Sequence, residues 1–398
     1  MNAGMVAPVE LFAPKRAGLR RAIIDMPKQK VGEVTRLGMG RKDIIPLWYG
    51  ESDLTTPAFI CEAAHEAMRE GRTFYTHKRG LPELRQALAD YMGELYRTHI
   101  DVERVSVTMS GMAAIMLALD AIVEAGDNTV NITPVWPNSV NAAEIRGVEP
   151  RRVPLRQENG VWRLDLNRLF NACDARTRAI VVNSPGNPTG WMIERDQQEA
   201  ILDYCRQRGI WLIADEVYAR LVYDRPVAPS FLEIADPEDP LIVVNSFSKS
   251  WAMTGWRIGW ITAPAFMGEY LNTMIEYSTS AVPEFNQVGA LAAVTKGEPF
   301  VAELRERCRI GRDAVVPRLK DIPRVTIDEP RAAFYAFFRV DGISDSLSFA
   351  KQLYFDTKVG LAPGAAFGPE GEGWLRLCFA SDRKRLDAAM DVLERYLA

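Results

Sequence analysis

The sequence predicts an α/β fold, a mainly parallel, doubly wound sheet followed by a smaller α+β unit. Three observations carry this. Short apolar runs recur at Val105–Met109, Thr129–Ile132, Ala179–Val182, Ile210–Ala214, Leu241–Val244 and Ile258–Thr262, and helical segments such as Ala113–Glu124 and Asp196–Arg208 fall between most of them. Such alternation winds strands into a parallel sheet. Turn-forming or ligand-type residues follow five of the runs, and sheets of this kind bind ligands beyond the carboxyl ends of their strands. Past about residue 285 the pattern changes to a long charged helix, Glu298–Leu319, and then to the strand-like stretches RVTIDEPRAAFYAFFRV, LYFDTKVGLAPGAAFG and GWLRLCFA.

Composition narrows the function classes. With 48 basic and 52 acidic residues the net charge is -4, so nothing calls for nucleic acid or an anionic membrane as partner. Five cysteines (Cys61, Cys173, Cys205, Cys308, Cys378) are scattered without CxxC spacing, which fits reduced thiols better than a disulfide framework or a zinc site. The opening MNAGMVAPVELF lacks a basic stretch followed by an apolar one, as a secretory signal requires. The apolar stretch near Ala113–Val123 is broken by Asp120, so no run reaches the ~18 residues of a membrane span. A cytoplasmic protein is expected.

In chain order, residues 1–45 are basic and irregular, with Arg16, Arg20, Arg21 and Arg36 and a helix expected around Gly18–Asp25. The loop GESDLTTP follows, Gly50 to Pro57, then a helix to about Glu70, since proline suits a first helical turn. Phe74–Met92 reads as a loop and a second amphipathic helix beginning near Pro82.

The residues after each strand carry the chemistry. Ser110, Gly111 and Met112 follow the first run; small residues at a helix start either expose amides to a phosphate or mark a plain N-cap by Ser110. Trp136 stands in the proline-stiffened TPVWPN loop, as core or as a platform for a ring. Asn183–Gly190, NSPGNPTG, reads in isolation as a tight turn. Asp215 ends a buried strand, where a carboxylate is costly unless paired; it either caps a helix or meets a cation, and Tyr218 lies three residues on. Ser246, Ser248 and Lys249 follow the next strand, with Arg257 and Gly259 beyond. Lysines are mostly solvated, yet one at the end of a buried strand can lose its proton and attack carbonyls. Two hydroxyls and a guanidinium beside it are phosphate ligands, and a nucleophilic lysine next to a phosphate site points to pyridoxal phosphate. Arg376, within WLRLCF, needs an internal salt bridge or a carboxylate ligand to stand in an apolar strand.

SxSKxxxxxxxR closely resembles the lysine segment of the class I/II aminotransferases, of the fold type I pyridoxal phosphate family. GExD…P, YTxxxGxxxLR, NxPxNPTG and DExY occur in that family's order over roughly Leu47 to Ala398. The resemblance implies a seven-stranded sheet in a large domain (50–285), a small C-terminal domain (286–398), and residues 1–49 joining the small domain. It implies an aminotransferase acting on amino and 2-oxo acids, 2-oxoglutarate or pyruvate among the acceptors. Lys249 would hold the cofactor as an imine and shuttle the proton. Asp215 would pair with the pyridine nitrogen, Asn187 and Tyr218 with the phenolic oxygen, and Trp136 would stack on the ring. Ser110, Gly111, Met112, Ser246, Ser248 and Arg257 would hold the phosphate, with Tyr75 reaching it across a homodimer. Arg376 and the Gly50 backbone, with Asn187, would take the substrate carboxylate. Relatives also carry cis bonds at positions matching Thr133–Pro134 and Asn187–Pro188.

Three departures stand out: Met112 beside Gly111, Ser139 where some relatives have histidine, and Ala332-Ala333-Phe334-Tyr335 where GAFY is usual. A carbon–sulfur β-lyase on the same fold shares every site residue. A cofactor-binding regulator is the other alternative, but such relatives carry an appended helix-turn-helix domain for which no spare segment is long enough. The amino donor is not identified; a broad range including acidic or aromatic donors is expected. His77, Lys78, Arg79 and Arg20 are either solvated or ligands for a distal carboxylate.

Overall fold

A computed structural model describes residues 18–158 and 160–398; Arg16 and the N-terminal stretch lie outside them. The large sheet has seven strands: β1 (Val105–Thr108), β2 (Asn128–Thr133), β3 (Glu149–Pro154), β4 (Thr177–Asn183), β5 (Trp211–Asp215), β6 (Leu241–Ser246) and β7 (Gly259–Thr262). Their order is β1-β7-β6-β5-β4-β2-β3. Every pair is parallel except those made by β7, which runs antiparallel to β1 and β6. Six strands match the apolar runs, because strands covered on both faces read as continuous hydrophobic stretches. The seventh, β3, is an edge strand of sequence EPRRVP in which only Val153 is fully buried, so it carries no such run.

Helices cover both faces. Ala58–Arg69 and Pro82–Tyr96 lie where the sequence places them, each led by proline. The N-terminal helix covers Arg21–Ile24, shorter than expected. Helix Glu284–Lys296 packs against Ala58–Arg69 and Pro82–Tyr96, whereas Glu298–Lys320 packs against the last helix, Arg383–Leu397.

A second, antiparallel sheet contains β8 (Val325–Ile327), β9 (Tyr335–Val340), β10 (Ala362–Pro363) and β11 (Trp374–Cys378), in the order β8-β9-β11-β10. Residues 45–46 pair in parallel with 359–360, and the buried Trp48 packs on Tyr354 at 5.5 Å. These contacts carry the N-terminal segment onto the C-terminal part of the chain. Thr133–Pro134 and Asn187–Pro188 are cis, and so is Ser184–Pro185. Ala332 does not occupy the left-handed region; the residue that does is Ala333, at φ +57°. That conformation costs a non-glycine residue ~1 kcal/mol. Two hydrogen bonds hold it: its N–H donates to Leu221 O at 2.8 Å, and its carbonyl accepts from the Tyr223 hydroxyl.

Candidate active site

The carboxyl ends of β1, β2, β4, β5 and β6 open onto one cavity of about 360 Å³, closed on the far side by β9, β11 and the Tyr49–Glu51 loop. Twelve of the predicted site residues line it: Gly50, Gly111, Met112, Trp136, Asn187, Asp215, Tyr218, Ser246, Ser248, Lys249, Arg257 and Arg376. Two do not. Ser110 sits behind the wall, its Oγ accepting from the Ala113 N–H at 3.2 Å, which is the capping use. Tyr75 is on the surface, 84% exposed. A larger cleft of about 800 Å³ lies behind the Thr189–Met192 loop, beside Asp328 and Arg331, and holds none of the predicted residues.

The phosphate-type corner is built on close backbone approach. Gly259 faces Thr108 on one side and Ser246 on the other. A Cβ there would stand 2.6 Å from Asn245 O and 2.7 Å from Gly111 N, so only glycine lets β6, β7 and the helix Gly111–Ile122 meet. The first amides of that helix have no intrahelical acceptor, and its dipole favours an anion. Ser246 and Ser248 lie with their hydroxyl oxygens 2.9 Å apart. Arg257 donates to Thr254 O at 2.6 Å, and no carboxylate of the described residues pairs with it.

At the centre, Lys249 Nζ donates to Gly50 O at 2.6 Å and lies 5.7 Å from the Tyr218 ring. Burial, then the charge of Arg376, lowers its pKa to about 8. Lys249 keeps part of its surface open to the cavity while protein surrounds the rest. Asp215 goes the other way, pushed up to about 6 by burial against the opposing pull of the Val217 N–H and of Lys249. Its partner across β4–β5 is Asn183, which the sequence reading passed over. Asn183 donates to Asp215 O at 3.1 Å and accepts from the Asn187 N–H at 2.9 Å, so one side chain sets both the aspartate and the asparagine. An amide at the end of an apolar strand, one strand away from Asp215, was the available signal.

Arg376 is 1% exposed. It donates to Asn187 Oδ1 at 2.8 Å and to Trp48 O at 2.6 Å, its Nε has no partner, and no carboxylate of the described residues lies within ion-pair distance. The internal salt bridge that would have explained it is therefore absent among the described residues. Arg79, expected to be solvated or to face a distal carboxylate, is instead buried and tied to Glu103 at 2.9 Å and Ser106 at 2.9 Å. Lys78 pairs with Glu276, and Arg20 is exposed, donating to Ile145 O.

This donor set fits pyridoxal phosphate. It offers a glycine-cleared cradle of amides and hydroxyls with a guanidinium that meets no carboxylate of the described residues, a desolvated lysine, a carboxylate with no cation of the described residues acting on it but that lysine, and a tryptophan wall. Residues 42–393 match the family described as aminotransferase class I and II. The chain is 33% identical to an aspartate aminotransferase of Pyrococcus horikoshii over 94% of this chain and 96% of that protein. It is 35% identical to a probable aspartate/prephenate aminotransferase of Aquifex aeolicus over 86% and 88%. It superposes on a Thermus thermophilus aspartate aminotransferase single mutant with a TM-score of 0.89 at 30% identity, covering 96% of this chain and 100% of that one. The chain belongs to the class I and II aminotransferases and is a pyridoxal phosphate-dependent enzyme that transfers amino groups.

Proposed function

We propose that the protein moves the α-amino group of an α-amino acid to 2-oxoglutarate or pyruvate in two half-reactions at this one cavity. Arg376 carries the reading. An arginine buried without a carboxylate is costly, and both the donor and the acceptor bring an α-carboxylate to pair with it. Two parallel N–H donors suit that group, with the Gly50 amide adding a third.

When bound, pyridoxal phosphate supplies an electron sink that stabilises charge left at Cα. The chain's own residues do the rest. Asp215 would accept the ring N–H, Asn187 and Tyr218 would bond the ring oxygen, and Trp136 would cover the ring face. The Met112 and Gly111 amides, Ser246, Ser248 and Arg257 would hold the phosphate. Lys249 would tether the cofactor and, once freed by the incoming amino group, would serve as the base that moves the substrate's Cα proton; in the cofactor-free protein burial lowers its pKa to about 8.

Two copies share the work in this proposal. Tyr75, Phe74 and Tyr277 are all more than four-fifths exposed, and Lys78 joins them by lying 5.3 Å over the Tyr75 ring while pairing with Glu276. We place a homodimer interface there, with Tyr75 serving the phosphate of the other copy. We place the division of the chain after Lys296, beyond the expected 285, because helix Glu284–Lys296 packs against Ala58–Arg69 and Pro82–Tyr96. The five unpaired thiols fit a cytoplasmic location.

The test is a pair of substrates. Arg376→Ala lowers kcat/KM for an amino acid by 10²-fold or more while leaving the much slower reaction of the corresponding decarboxylated amine unchanged. Equal losses for both would overturn the assignment.

A further inference from the structure

Tyr335 touches three of the groups just described and has no part in the reaction so far. It opens β9 two residues after the left-handed Ala333 and is fully buried. Its hydroxyl lies 2.7 Å from the Tyr218 hydroxyl. Its ring lies under the Arg376 guanidinium at 4.4 Å, closer than Phe367 at 4.8 Å or Trp136 at 5.9 Å. A Cβ on Gly50 would stand 2.5 Å from its Oη, so the loop whose carbonyl receives Lys249 packs against that same hydroxyl.

We infer that Tyr335 is a positioning residue for amino transfer, its hydroxyl aiming the Tyr218 proton at the cofactor's ring oxygen and its ring seating Arg376 for the carboxylate. In the tyrosine–tyrosine pair either hydroxyl can donate. Tyr218 lines the cavity, so a ring oxygen bound there would give it an acceptor of its own, whereas Tyr335 has only Tyr218 among the described residues. With that oxygen in place Tyr335 would donate, and Tyr218 would keep its own proton for the ring oxygen. In a dry chain of this kind each bond strengthens the next. The seat under Arg376 is a cation–π contact in a desolvated place, where such contacts are strongest.

This inference rests on the reading that Tyr218 meets the cofactor oxygen. Its test is a pH titration of the visible absorbance of the holoenzyme, run with wild type, Tyr335→Phe and Tyr335→Leu. Each protein is also titrated with an unreactive carboxylate such as propionate. Removing the Tyr335 hydroxyl weakens donation from Tyr218, leaves the ring oxygen more basic, and holds the proton on the Lys249–cofactor linkage to higher pH. Tyr335→Phe should raise the apparent pKa of the absorbance change by roughly half a unit and leave propionate affinity within twofold, since the ring stays. Tyr335→Leu should also weaken propionate about tenfold. A Tyr335→Phe titration superimposed on wild type would overturn the first role, and equal propionate affinity in Tyr335→Leu and Tyr335→Phe would overturn the second. A wild-type band that does not respond to pH would overturn the underlying reading, and the inference with it. Tyr335→Phe keeps the packing, so it decides the hydroxyl's role even where Tyr335→Leu fails to fold. For that case Tyr335→Met, unbranched and better able to fill the space, repeats the propionate titration.

Discussion

Arg376 donates to Asn187 Oδ1 at 2.8 Å across 189 residues of sequence, joining the antiparallel sheet to the loop that ends β4. The bond puts the proposed grip on the substrate and a proposed ligand of the cofactor in direct contact. A carboxylate arriving at Arg376 therefore acts on Asn187 as well.

Asn187→Asp should turn that contact into an internal ion pair. The arginine would then be neutralised before substrate arrives, and KM for amino acids should rise roughly 10- to 100-fold, the reach of one buried charge-assisted bond. Steady-state kinetics with one amino donor checks this. An unchanged KM would mean that the carboxylate binds elsewhere.

Lys249 should govern capture of the cofactor by the cofactor-free protein. Only the neutral amine attacks a carbonyl, and its pKa is lowered to about 8 by burial. The second-order rate of band formation should climb about tenfold per pH unit below 8 and level off above it. Stopped-flow mixing with pyridoxal phosphate measures it, and Lys249→Ala should show no such phase.

Glu216 supplies a stability signature. It is buried, accepts from the Ser230 hydroxyl at 2.6 Å and the Phe231 N–H at 3.0 Å, and burial pushes its pKa up to about 8. The folded state then holds a proton that the unfolded chain gives up near 4.5. Its contribution is full below that value and lost as pH rises through 8. Glu216→Gln should remove part of the decline in stability of the cofactor-free protein between pH 5 and 8, by up to a few kcal/mol. Urea unfolding at several pH values reads this directly.

Gly259→Ala should act at the phosphate corner. The added methyl meets two backbone atoms that cannot swing away, and overpacking of this kind costs ~1–3 kcal/mol. Melting temperature and cofactor affinity should fall together, the latter measured by equilibrium dialysis.

Much of the large unit was legible because strands buried on both faces are unbroken apolar runs, and because each ligand group follows one directly. What stayed hidden depends on contacts the chain makes far from itself. β3 reads EPRRVP because an edge strand has only one neighbour. Tyr335 meets Tyr218 across 117 residues, and no spacing rule places them together. Arg79 looked like a surface arginine until the fold brought Glu103 and Ser106 to it. The choice between salt bridge and carboxylate ligand at Arg376 likewise needed its neighbours. Ser110 was balanced between two uses, and the cap, its Oγ accepting from the Ala113 amide at 3.2 Å, is the one the structure displays.

The most direct measurement is a single half-reaction. The cofactor-loaded enzyme is mixed with one amino acid and no 2-oxo acid, and products are counted per active site. Amino transfer at this cavity predicts one equivalent of 2-oxo acid, no free ammonia, and recovery of the starting spectrum on adding 2-oxoglutarate or pyruvate. Ammonia released continuously, with no stoichiometric limit and no retained amino group, would contradict it.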